Sequence, residues 1–294
     1  MTPAPVTESG PARPMPAWRH SFASACRAAW RAFATPAPPW QARRPVDAAG
    51  AAGRRLRVPA PRGRMVDVLV AGEPADARLI LVHGTPGSAQ GWSSYLRHPP
   101  AGFEVHALDR PGFGEHGAQA VTSLEQQAEA VAALLPEGGR AAVVVGHSLG
   151  AAVAARVAAE HRSRVAALVL LAAALDPAAE RVHPLQRVGH WPGVRALLPR
   201  PLRHANAELL ALKGELIGLA PLLGQIRCPV FIVHGSADDL VPPCNVDYAR
   251  RRLRRAASVH VTWLAGGNHF LPWNAEAELR RVIAAAGVAA RRTC

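Results

Sequence analysis

Ten consecutive residues constrain this chain most. An apolar run, Ala141-Ala142-Val143-Val144-Val145, leads into Gly146-His147-Ser148-Leu149-Gly150, and an alanine-rich stretch of helical composition follows to Ala159. A strand, a five-residue turn and a helix in that order are the context in which a G-x-S-x-G motif lifts a serine above the edge of a sheet. Glycines two residues to either side of Ser148 remove side chains where strand and helix crowd together. The serine itself must then adopt a strained backbone conformation. The helix that begins beside it turns unpaired backbone N–H groups and a positive dipole end toward the hydroxyl. Ser148 is therefore read as a nucleophile.

Such a turn needs a sheet whose strands alternate with helices, and the chain supplies one from Arg54 onward. Apolar, β-branched runs occur at 55–58, 65–71, 78–82, 103–107, 141–145, 165–171, 230–233 and 258–264. The first two read as a hairpin-like pair. Helical patterns lie at 124–135, 149–161, 246–255 and 275–285, with Ser123 and Gln126 spaced as in a capping box at the first of these. Alternation of this kind predicts an α/β fold with a mostly parallel sheet covered by helices on both faces. The rhythm breaks at 177–222, which holds no convincing strand, prolines at 184, 192, 199 and 201, and a helix-like piece at 208–219. It reads as an insertion between two strands. No repeat of fixed period is present, so solenoid and propeller architectures are set aside.

The formal charge of +13 invites a polyanion or membrane-surface reading, but its distribution weakens that for the globular part. Residues 1–64 carry eleven arginines against Glu8 and Asp47, a net of +9, leaving +4 for the rest. Lys213 is the one lysine. Residues 1–52 are rich in Pro, Ala and Arg, and within them Trp18, Phe22, Cys26, Trp30 and Phe33 recur at helical spacing. That stretch fits a basic amphipathic helix touching a membrane surface through 18–33 or an organellar targeting peptide, or else a helix docked on the main domain or a loosely ordered tail. Cys26, Cys228, Cys244 and Cys294 show no metal-ligand or redox spacing, which points to free thiols in a reducing, cytoplasmic setting. No apolar run reaches membrane-span length, and no secretory leader pattern is present. Nucleic acid is not expected as a partner, and oligomeric state is not readable.

A serine hydroxyl needs a base, and the base an orienting acid. Gly235-Ser236-Ala237-Asp238-Asp239-Leu240-Val241-Pro242 follows the strand at 230–233, and Gly266-Gly267-Asn268-His269-Phe270 follows the strand at 258–264. Both loops belong at the carboxyl edge of a parallel sheet, where such folds keep their chemistry. Asp238 and His269 are thus the candidate acid and base. Asp239 and Asp176 are alternatives for the acid, and His260 for the base. His83, His147 and His234 lie near strand ends without carboxylate or second histidine at ligand spacing, so they read as turn packing rather than a metal site. Asp109 reads as a residue that orients backbone, and Cys244 as a bystander.

With Ser148, Asp238 and His269 in that order, the chain resembles the α/β-hydrolase superfamily over residues 54–290, and within it capped bacterial hydrolases of the esterase and haloperoxidase-like type. His83-Gly84-Thr85-Pro86-Gly87-Ser88 is similar to the family's oxyanion-hole turn. Asp109-Arg110-Pro111-Gly112-Phe113-Gly114 is similar to its glycine-rich turn. The resemblance implies an eight-stranded, mostly parallel sheet with a short helical cap inserted after the sixth strand. It divides the chain into an extension at 1–52, a core at 53–176 and 223–294, and a cap at 177–222. It also implies an oxyanion hole made by the N–H groups of Thr85 and Leu149. The cap's leucines and Trp191 suit an apolar acyl or alkyl substrate portion, with Trp191 and Leu198 as candidate contacts. The expected reaction is hydrolysis of a carboxylic ester through an acyl-enzyme, with no cofactor or metal. Carbon–carbon bond hydrolysis, perhydrolysis, acyl transfer and a non-catalytic binding role are the alternatives, since fold alone does not separate them.

Overall fold

A computed structural model describes residues 53–74, 77–115, 117–137 and 142–293. The amphipathic stretch expected at 18–33 and the rest of 1–52 lie outside the described residues.

Among the described residues, eight strands form one sheet in the order β1-β2-β4-β3-β5-β6-β7-β8. They are β1 (Arg54–Ala60), β2 (Arg64–Ala71), β3 (Ala77–Val82), β4 (Phe103–Leu108), β5 (Ala142–His147), β6 (Val165–Leu171), β7 (Val230–Gly235) and β8 (Val259–Leu264). The hairpin β1–β2 is antiparallel, β2 runs antiparallel to β4, and every other pairing is parallel. The central strands are buried on both faces, so they read as unbroken apolar runs. Their period of two still sorts side chains between two cores. Ile80, Val82 and Val144 point into one, and Leu79, Leu81, Val143 and Val145 into the other.

The first core is closed by α2 (Leu124–Ala132), α3 (Leu149–Glu160), α6 (Arg200–Leu223) and α7 (Cys244–Arg252). The second is closed by the segment around Trp92 and α1 (Ser93–Arg97), and by α8 (Leu271–Asn274) and α9 (Glu276–Thr293). Ser123 caps α2, its side chain accepting from the Gln126 N–H at 3.3 Å.

Between β6 and β7 lie α4 (Pro184–Val188), α5 (Pro192–Leu197) and the 24-residue α6. Helix α6 starts eight residues earlier than the helical piece expected at 208–219, because two prolines that look like breaks are part of its start. Pro199 is the N-cap and Pro201 lies in the first turn. Proline is tolerated there because first-turn N–H groups have no intrahelical partner. Pro184 and Pro192 open α4 and α5 in the same way. No helix among the described residues is long and apolar enough to cross a membrane.

Candidate active site

The turn between β5 and α3 is as tight as its glycines require. Ser148 has φ 56° and ψ −124°, a region that disfavours any side chain. A Cβ on Gly146 would stand 2.3 Å from the Gly150 carbonyl oxygen, and one on Gly150 would stand 2.3 Å from that of His83. Both positions are therefore closed to other residues, and the second shows how closely the β3 loop crosses the helix start. The Ser148 N–H donates to Leu171 O at 2.9 Å, while its carbonyl accepts from Ala151 N at 3.0 Å. The strain is held by the neighbouring strand and the first turn of α3.

Two further loops reach the same edge of the sheet. Asp238, on the loop after β7, is almost wholly buried. Its Oδ1 accepts from the N–H groups of Leu240 and Val241 at 2.9 and 2.8 Å, and its Oδ2 lies 2.9 Å from His269 Nδ1. Burial pushes the Asp238 carboxyl up. The hydrogen bond and charge of His269, the Val241 N–H and His234 outweigh that, holding it below the usual carboxylate range. A carboxylate on Nδ1 keeps the proton on that nitrogen, leaving His269 Nε2 as the basic atom. Asp239 is exposed, Asp176 accepts from the Ala178 N–H through Oδ1, and His260 is exposed beside Ser258.

The other histidines buttress turns. His147 is fully within the fold, its Nε2 2.9 Å from the His269 carbonyl and its ring against those of His269 and Trp273. Burial, then the charge of His269, lower its pKa to about 3. His234 lies 3.0 Å from Val241 O. His83 Nδ1 meets Gly84 O at 2.7 Å, and its Nε2 accepts the Arg110 backbone N–H at 3.0 Å. Asp109 Oδ1 accepts from the Ala89 N–H at 2.7 Å, the backbone-orienting role expected of it.

One constellation was not foreseen. Arg110 and Glu208 form a fully buried ion pair, with oxygen–nitrogen distances of 2.6 and 3.1 Å. Arg110 Nε donates to His83 O at 2.8 Å, Nη2 to Gly84 O at 2.9 Å, and Nη1 also to Gln127 Oε1. Gln127 Nε2 returns to Glu208 Oε1 at 2.7 Å. Glu208 lies on α6, so the insertion is tied to the loop carrying Thr85. The sequence does hold a signal. Between 181 and 222 the only carboxylates are Glu208 and Glu215, seven residues apart and in line with the buried Leu212, Leu216 and Leu219. Glu215 faces inward too, its Oε2 accepting from the Leu124 N–H that opens α2.

Thr85 lies on the β3 loop beside Gly84, where an added Cβ would come within 3.0 Å of Ser148 Cβ. Leu149 is the first residue of α3, buried under the turn. Trp191 and Leu198 lie in the insertion, the first largely exposed and the second half-buried.

A profile of the α/β-hydrolase fold matches residues 77–211. The chain is 36% identical over 120 residues to a pimeloyl-acyl-carrier-protein methyl ester esterase of Klebsiella pneumoniae strain 342, a match covering 41% of this chain and 42% of that protein. It thus spans about two fifths of the length of the first such relatives. Against the enzyme of the same name from Vibrio cholerae the match is 30% over 210 residues, covering 59% of this chain and 80% of the other. Among solved structures, the monoacylglycerol lipase of Paleococcus ferrophilus superposes with a TM-score of 0.62 at 20% identity, covering 77% of this chain and 98% of that one, which speaks to the fold. With this sheet, this serine turn, the matching profile and a relative covered over 80% of its length, the chain belongs to the α/β-hydrolase family.

Proposed function

We propose that this protein is a carboxylic ester hydrolase working through Ser148, His269 and Asp238. The observation that carries the proposal is the strained backbone of Ser148, φ 56°, between two glycines that close contacts forbid from being anything else. Strain of that kind persists only where the surroundings over-determine it, and it puts the hydroxyl at the start of a helix. In the proposed reaction Ser148 Oγ attacks the acyl carbon and His269 Nε2 takes its proton. Asp238 holds the imidazole in that tautomer and balances the imidazolium charge. The N–H groups of Thr85 and Leu149 receive the tetrahedral oxyanion. The protonated His269 then releases the alcohol, and water activated by the same nitrogen frees the acid. Three side chains, two backbone N–H groups and water carry every step.

The residues of α4–α6 act as a cap, with Trp191 and Leu198 meeting an apolar acyl or alkyl portion. Curated relatives bear the name of a methyl ester esterase, which favours ester hydrolysis over the carbon–carbon and acyl-transfer readings. The test is labelling by a fluorophosphonate in wild-type and Ser148→Ala protein, followed by p-nitrophenyl esters of graded chain length. Labelling and turnover should both vanish in the variant. Folded wild-type protein that takes no label at Ser148 would sink the proposal.

A further inference from the structure

The structure assigns Arg110 and Glu208 a positioning role: they aim the Thr85 N–H at the reacting oxygen, so that the insertion itself sets the oxyanion hole. The inference rests on the ester-hydrolase reading of Ser148. It begins with the geometry of one peptide plane. The Gly84 carbonyl and the Thr85 N–H belong to the same planar trans peptide, so they point in opposite directions. Arg110 Nη2 binds Gly84 O at 2.9 Å, and Arg110 Nε binds His83 O at 2.8 Å. Both carbonyls of the turn therefore face the guanidinium, and both following N–H groups face away from it. Gly84 packs against Ser148, so the turn is in contact with the nucleophile.

A guanidinium has five N–H donors in a fixed plane, and here all five are used. Two go to the turn carbonyls, two to Glu208 and one to Gln127. The side chain has no rotational freedom left once Glu208 is in place. Glu208 in turn is fixed by α6, whose Leu212, Leu216, Leu219 and Leu223 are buried in the core on neighbouring turns. The chain of contacts runs from a packed helix, through a fork of two parallel bonds, to the direction of a single N–H. Arg110 and Glu208 touch no reacting atom, and a purely structural pair would serve as well anywhere in the core. What marks this pair is that, apart from those to Gln127, its other bonds end on the two carbonyls of the oxyanion turn.

The test replaces the pair by apolar residues of similar length, Arg110→Met with Glu208→Met, because such a swap commonly spares the fold where loss of one partner does not. Fluorophosphonate labelling of wild-type Ser148 is measured first, so that failure of the hydrolase reading is seen separately. In the folded double variant kcat for a p-nitrophenyl ester should fall about 10²-fold, the lower end for loss of an oxyanion donor, while KM moves less than about threefold. Affinity for an alkyl boronic acid, which presents a tetrahedral oxyanion, should fall in parallel with kcat/KM. Glu208→Gln, which keeps the shape but turns an amide donor toward Arg110, should lose about tenfold in kcat, and Arg110→Lys should recover part of the double variant's loss. Should the double variant not fold, Glu208→Gln alone decides. Wild-type kcat in either folded variant, or a kcat loss without the matching loss of boronate affinity, would overturn the assignment.

Discussion

Along the carboxyl edge of the sheet, the proposed triad is held by hydrogen bonds from its own loops and from the strands and turns packed beside them. Asp238 is wrapped by the N–H groups of Leu240 and Val241, His269 is supported by His147, and Ser148 is clamped between Leu171 and the first turn of α3. The insertion between β6 and β7 is built differently. Helix α6 presses a leucine face into the core, yet α4 and α5 contribute no buried side chain, and Leu185, Trp191 and Leu197 stand in solvent. Regions with few buried apolar contacts open at low free-energy cost, while strands packed on both faces open only with the whole fold. The difference separates two tasks. The sheet edge stores the geometry of the chemistry, and α4–α5 are free to differ in shape or movement without disturbing it. The ties from the insertion to the turns at that edge come from α6, through Arg200, His204 and Glu208.

The contrast is tested most severely by Asp238→Asn. An asparagine can still accept from the Leu240 and Val241 N–H groups, so the loop should keep its shape and the melting temperature should change little. Its amide, however, would favour the tautomer of His269 with the proton on Nε2, the nitrogen needed as base. Turnover of a p-nitrophenyl ester should fall by about 10³–10⁴-fold. Undiminished kcat would move the acid to another carboxylate and with it undo the claim that the sheet edge holds the complete chemistry.

Acid should act on the same region. His83 and His147 are held neutral in the fold. Burial followed by the charge of Arg110 takes the first well below its ordinary value, and burial followed by the charge of His269 takes the second to about 3. His83 Nε2 also accepts a backbone N–H, which a protonated ring cannot do. In the unfolded chain both titrate near 6.5. Below that pH the unfolded state binds more protons than the folded one, so stability complete above about 6.5 is lost as pH falls toward 3. The carboxyl of Asp238 adds to the loss only below the ordinary aspartate value of 3.8. Thermal melts should therefore show a falling midpoint between pH 7 and 5, before aspartates protonate. A flat midpoint across that range would mean that these rings are not the buried neutral groups described.

Much of this was readable before any coordinates, and what was readable shares a cause. Strand and helix order, the turn around Ser148, the loops of Asp238 and His269, and the packing histidines follow from local patterns: unbroken apolar runs, glycines at fixed offsets, an acid just past a strand. The start of α6 was misjudged because Pro199 and Pro201 look like breakers, and position within a helix's first turn is not visible in composition. Arg110 and Glu208 lie 98 residues apart. Each looks ordinary alone, since an arginine in a turn and a glutamate in a helix are usually solvated, and only the fold brings them together in the interior. Pairings of that range are written in topology rather than in any window of sequence.

The smallest expected effect is also a measure of the contrast between the two regions. Leu216 on α6 has no exposed surface, whereas Leu197 on α5 is 86% exposed. Truncating Leu216 to alanine removes buried methyl groups and leaves a cavity among the core leucines, for an expected loss of about 2–5 kcal/mol in urea unfolding. The same truncation at Leu197 removes atoms already in water and should stay within about 0.5 kcal/mol. Hydrogen exchange gives the regional counterpart: amides of 184–197 should exchange long before those of β5 and β6. A Leu197→Ala loss comparable to that at Leu216 would mean that α5 is packed in solution against something that covers it, and the contrast between a loosely held α4–α5 segment and a rigid sheet would have to be given up.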